Sequence, residues 1–241
     1  MTNIFAEPSG KGEPWASNPP FDRRHLRAIE QALRTAWDML HNNHSTAREL
    51  SAEREERISH LLRDALNKIR ERKTGGIRGY DCETFERPQV GAEIVTPDGK
   101  IRKPDIVFAL SGAPRPGVSD GMSDGIYVEC KIIQSGTKKN VAAYCRDGIH
   151  RFVEGSYAAW MREGMMVAYV RSSQSLPADL DKTLRTGTMK DHLASDGELR
   201  RCTLTVIDPR VYISVHRRDW PYPGGAQYPG PIEVRHLWLH V

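Results

Sequence analysis

The stretch Tyr127-Val128-Glu129-Cys130-Lys131-Ile132-Ile133 decides the fold of this 241-residue chain. Read as a strand, it alternates between two faces, so Glu129 and Lys131 point one way while Val128, Cys130 and Ile132 pack on the other. An acid and an amine on a mostly buried strand are costly unless they are paired or bound to something. The pair is therefore either an internal salt bridge or part of a binding site.

Upstream, "GAEIVTPDGKIRKPDIVFAL" (91–110) reads as two strands joined by the turn Thr96-Pro97-Asp98-Gly99. The second strand carries Asp105 directly after Pro104, at its start. If it pairs with the 126–133 strand, Asp105 comes beside Glu129 at one end of a sheet. Two converging carboxylates make a hard-oxygen site suited to Mg²⁺, and a neighbouring lysine can hold or deprotonate water or stabilise charge on a phosphate. Pro97-Asp98 is also a Pro-Asp pair, but it sits in a turn, where both residues serve the backbone.

Further out, Asp22 is placed to cap a helix to about His41, with Leu26, Ile29, Leu33, Trp37 and Leu40 as its buried stripe. A second helix is expected from Thr46, whose spacing to Glu49 suits a capping box, through Ile58, Leu62, Leu66 and Ile69 to Gly75-Gly76. Residues 111–125 hold many breakers and read as a surface loop. Residues 139–162 read as a helix, 164–172 as a buried strand and 174–200 as partly helical. Strands flank Asp208-Pro209, and "IEVRHLWLHV" (232–241) ends the chain as a strand. Residues 1–21 read as an irregular arm, and 22–241 as one domain. Its order of elements suits a three-layer α/β/α domain with a mixed central sheet and extra C-terminal strands.

The combination Pro104-Asp105 … Glu129-Cys130-Lys131 in this order of elements resembles the PD-(D/E)xK nuclease superfamily, the restriction-endonuclease-like fold, over roughly residues 46–172. The resemblance implies a Mg²⁺-dependent endonuclease, with Mn²⁺ as a possible substitute, hydrolysing phosphodiester bonds in DNA in restriction, repair or phage defence. It implies that Asp105, Glu129 and the Cys130 carbonyl ligate the metal and that Lys131 is the catalytic lysine. It also implies a glutamate on the first core helix. At about 100° per residue, Glu55 lies near the Ile58/Leu62 stripe and Glu56 points away, so Glu55 takes that role. Arg151, Lys138 and Lys139 are candidate phosphate contacts.

The remaining signals set bounds. The net charge of +4 permits an anionic partner without demanding one. No apolar run is long enough to span a membrane. The N-terminus has no basic segment followed by an apolar one, which argues against secretion. Cys82, Cys130, Cys145 and Cys202 have neither zinc nor disulfide-framework spacing. A cytoplasmic protein with free thiols is expected, with a homodimer or partner subunit if both strands of DNA are cut. His236 and His240 would share a strand face but lack Cys or Asp neighbours, so no metal site is expected there. The competing functions are a catalytically silent module of the same fold that binds nucleic acid or a partner protein, and a structural protein with Glu129–Lys131 as a buried ion pair. Catalysis predicts that Lys131→Ala abolishes cleavage and leaves the fold intact.

Overall fold

In the computed structural model of the chain, the described residues are 19–72, 76–113, 124–204, 210–222 and 228–241. Most of the expected arm, Gly75, most of the 111–125 loop and Asp208-Pro209 lie outside them.

Helix α1 (Arg23–His41) is capped by Asp22, whose carboxylate accepts from the Arg24 amide at 2.9 Å. The expected second helix is two, α2 (His44–Ala52) and α3 (Glu55–Arg72). Asn43, not Thr46, caps α2, its side chain accepting from the Thr46 amide. Glu53 is extended, and the Arg171 guanidinium takes the carbonyls of Leu50 and Glu53, so the chain leaves the helix there. That break puts Glu55 in the first turn of a new helix.

The segment with the Thr96–Gly99 turn forms a small ribbon, β1 (Ile94–Val95) with β2 (Ile101–Arg102), separate from the main sheet. Next come β3 (Ile106–Ala109) and β4 (Gly125–Ile133). The expected 139–162 helix ends early. It runs as α4 (Val141–Tyr144), a π-helical turn (Cys145–Ile149) and α5 (His150–Val153), stopping at Glu154. Then follow β5 (Glu163–Val170), a helical stretch that includes α6 (Asp181–Arg185), α7 (Gly187–His192), β6 (Arg200–Arg201), β7 (Tyr212–His216) and β8 (Ile232–His240).

The chain is thus a mixed α/β protein. Among the described residues its sheet has six strands in the order β3-β4-β5-β8-β7-β6, parallel across β4-β5-β8 and antiparallel elsewhere. The parallel strands are buried on both sides, as β5 is along its whole length. Met166 and Tyr169 are three steps apart on β5 and so face opposite ways. Tyr169 meets α3 through Ser59 Oγ at 3.1 Å and stacks on Trp37 of α1 at 5.7 Å. Met166 faces the 141–153 helical stretch, and a Cβ on Gly148 would lie 2.3 Å from the Met166 side chain and 3.6 Å from Lys131 Cγ. A glycine there lets the helix press onto β4 and β5, and so packs the Lys131 stem.

Behind this runs a buried polar chain. The Leu193 carbonyl can only accept, so His216 Nδ1 donates to it at 3.0 Å and leaves Nε2 as an acceptor. Ser214 Oγ therefore donates to His216 Nε2 and accepts from His236 Nε2, both at 2.7 Å. The Tyr144 hydroxyl then donates to His236 Nδ1 at 2.8 Å. Burial pushes His216 down to about 4 and His236 down as well, so both rings are neutral, as this order requires. His236 serves the core. No helix among the described residues is long and apolar enough to cross a membrane.

Candidate active site

The site exists because β4 is longer than its neighbour. β3 pairs only with residues 125–128 of β4, and Ile106 sits opposite Val128. One further step in that register brings Asp105 opposite Glu129. Beyond it β4 has an open edge whose amides need acceptors. Asp105 Oδ2 accepts from the Cys130 amide at 2.7 Å, and Glu55 Oε2 accepts from the Ile132 amide at 2.8 Å. Two carboxylates distant in sequence are thereby pinned to alternate amides of the motif strand.

Lys131 fills the space between them. Its Nζ donates to Glu55 Oε1 at 3.1 Å, to Glu129 Oε1 at 2.5 Å and to the Cys130 carbonyl at 2.9 Å. Arg151 approaches from the other side, with Nη1 3.3 Å from Glu129 Oε1 and 2.6 Å from the Tyr157 hydroxyl. That hydroxyl donates to the Lys103 carbonyl at 2.9 Å.

Charge decides how this cluster behaves. Glu129 is 1% exposed, and burial, followed by repulsion from Asp105, pushes it up to about 7. Burial also raises Asp105, against the attraction of Lys131. Burial alone would lower Lys131, but Glu129, Glu55 and Asp105 outweigh it and hold the amine protonated. With both carboxylates free of a cation, Lys131 is thus a fixed positive charge in the cluster.

Glu129 Oε2 is buried without a hydrogen-bond partner among the described residues. A proton on Glu129 would be shared with Asp105. Asp105, Glu129 and Glu55 carry three carboxylates against the two cations Lys131 and Arg151, so one negative charge is left uncompensated in a buried place. A proton or a bound cation can balance it. Among the described residues, no three Asp, Glu, His or Cys side chains form a ligand set by themselves. Glu55 faces Lys131, and the Cys130 carbonyl already accepts from that amine. A pair of carboxylates with an orphaned oxygen still fits Mg²⁺, which binds through one or two carboxylates and keeps waters for its other positions.

The structure therefore brings together Asp105, Glu129, Lys131, Glu55 and Arg151. Cys130 contributes its backbone, and its side chain is buried. Lys138 and Lys139 are exposed on the turn after β4 and have no contact with the cluster among the described residues. Sequence reasoning missed Tyr157, which lies inside the stretch 139–162 that it read as one helix. The chain instead turns back after Glu154, with Gly155 at φ 77° and Ala158 at φ 52°. The Tyr157 amide bonds the Arg151 carbonyl at 3.0 Å. Gly155, next to the end of the helix, was the available signal for that turn.

Comparison with known proteins finds no matching family model, no matching curated protein and no matching solved structure.

Proposed function

We propose that this chain is a Mg²⁺-dependent nuclease of the PD-(D/E)xK kind, acting on DNA, with the three-layer α/β/α arrangement of restriction-endonuclease-like domains. One observation carries the reading: the buried, partnerless Glu129 Oε2 beside Asp105, with protonated Lys131 fixed next to both. Asp105 and Glu129 would hold the ion, which supplies Lewis-acid activation of water and of a phosphate oxygen when bound. The chain's own groups do the rest. Lys131 puts a fixed positive charge where negative charge grows on the phosphate as water bonds to phosphorus and an ester oxygen leaves. Glu55 orients that amine. Arg151, whose side chain is 41% exposed, is placed to turn its outer nitrogen to a phosphate. Tyr157 positions Arg151.

The direct test incubates purified chain with plasmid and oligonucleotide DNA in Mg²⁺, Mn²⁺ or EDTA, beside Glu129→Ala. Cleavage is expected with metal only, and only in the unsubstituted chain. Because Glu129 must lose its proton for a cation to bind, metal binding and cleavage should rise as pH passes upward through about 7. No cleavage of any DNA at any pH from 6 to 9 would refute the reading.

Tyr157→Phe removes the hydroxyl that accepts from Arg151 and donates to Lys103. Cleavage is expected to fall about 10-fold, the worth of one charge-assisted hydrogen bond. Far-UV circular dichroism should not change.

A second reading has its own observation. The cluster is already closed by ion pairs and backbone amides without any metal, as in a silent module or a structural ion-pair network. Isothermal titration with Mn²⁺ separates the two: Asp105- and Glu129-dependent binding belongs to the nuclease and no binding to the silent module.

A further inference from the structure

Next to the carboxylates lies a second feature. A cleft of about 500 Å³ opens between the β1–β2 ribbon and the 154–156 and 220–221 turns, with Lys100, Arg102, Ser156 and Trp220 among its walls. That volume is within the range of small-ligand pockets. It adjoins the proposed active site through the chain itself. Arg102 precedes Lys103, whose carbonyl takes the Tyr157 hydroxyl, and Ser156 precedes Tyr157. Arg102 is three residues before Asp105, at most about 10 Å of extended chain.

Two properties of the cleft define its ligand. The first is a preset aromatic wall. Trp220 is partly exposed, yet its indole N–H is tied to the Val153 carbonyl at 2.7 Å and its ring meets Tyr222 edge-on at 5.5 Å. It also lies against bare Gly155, where a Cβ would come within 2.4 Å of the indole. An aromatic ring held this way binds a flat partner at little ordering cost. The second is a guanidinium outside any ion pair: Arg102 donates through Nε to Ser156 Oγ at 3.2 Å and through Nη1 to the Ile101 carbonyl at 3.4 Å, and no carboxylate among the described residues contacts it, whereas Lys100 is neutralised by Asp98 at 2.6 Å and Glu154, also in the wall, takes the Ser156 hydroxyl at 2.7 Å.

We propose that this cleft takes one unpaired base of the DNA strand, next to the scissile phosphate, with the base stacked on Trp220 and its phosphate on Arg102. A planar ring with an anionic group is what an indole and a guanidinium outside any ion pair recognise together. A base paired inside a duplex cannot present its face to Trp220, so the chain acts on single-stranded or flapped DNA. This assignment rests on the nuclease reading for its choice of ligand, but its test does not depend on cleavage.

The test is an abasic scan. Fluorescein-labelled single-stranded DNA carrying one abasic site at each position in turn is bound to the full chain in EDTA and followed by anisotropy. One position, or two adjacent ones, should weaken binding about 5- to 100-fold, the range of one base–aromatic stack. Trp220→Ala should bind the intact strand as weakly as the unsubstituted chain binds that abasic strand, and should show a flat scan. Arg102→Gln should weaken every strand alike, and fully paired duplex should bind at least 5-fold more weakly than single strand. A flat scan with the unsubstituted chain, or a scan equally deep in Trp220→Ala, overturns the assignment whether or not DNA is cut. A Trp220-dependent scan on DNA that no divalent metal causes to be cut overturns the catalytic reading and leaves the cleft standing.

Discussion

Glu129→Gln is expected to abolish cleavage, by about 10³-fold, while removing a pH-dependent weakness of the fold. The loss follows from the absence of one of only two carboxylates that can hold the ion. The gain follows from linkage. Glu129 stands at about 7 in the folded chain against an ordinary 4.5, so between those values the folded state binds more protons than the unfolded one. Stability then falls as pH rises through that window. The penalty is absent below about 4.5 and complete above about 7. Its size is about 3 kcal/mol at 1.36 kcal/mol per unit. Urea unfolding in EDTA at pH 5 and pH 8 should show this drop in the unsubstituted chain and not in Glu129→Gln. Saturating Mg²⁺ should also cancel the drop in the unsubstituted chain alone, because the ion takes the place of the proton. An unchanged pH slope in the variant would mean that Glu129 is ionised without penalty, and the argument for a cation would fail with it.

Lys131→Ala should do more than stop the chemistry. The sequence suggested a clean catalytic knockout with an intact fold. In the structure the amine is only 17% exposed and pairs with both Glu129 and Glu55. Its removal leaves Glu129 with Arg151 as its remaining ion-pair partner among the described residues and takes the ion pair from Glu55. Breaking a buried pair by removing one partner costs about 3–5 kcal/mol. In EDTA at pH 8 the variant should therefore melt well below the unsubstituted chain, and Mg²⁺ should raise its melting temperature by more than it raises that of the parent. Cleavage should stay at least 10³-fold down even when metal has restored the fold. If Lys131→Ala were as stable as the parent in EDTA, the ion pairs would be decorative. If it cut DNA normally, Lys131 would have no part in the reaction.

Much of this protein could be read from local pattern. The alternation across 127–133, the Asp105 that begins an apolar strand, the stripe of α1 and the choice of Glu55 over Glu56 all follow from residue spacing. Side-chain direction repeats every two residues in a strand and every 3.6 in a helix whatever lies elsewhere. The parallel pairing of β4 with β5 is of the kind that the helical stretch between them allows. What spacing could not show depends on groups distant in sequence. The break at Glu53 is made by Arg171, more than a hundred positions on. The Tyr157 position depends on a turn that Arg218 holds, donating to the carbonyls of Ala158, Ala159 and Met161. The protonated state of Lys131 and the raised carboxylates come from burial summed over several elements.

The amino-acid order by itself determined which faces of each element are apolar and which acids and amines share them, because those are properties of a few consecutive residues. Only the tertiary structure decided that β3 stops four residues into β4, leaving the amides of Cys130 and Ile132 for two carboxylates to take. That unpaired edge gathers negative charge where water cannot screen it, and exclusion of water is a property of the folded chain alone.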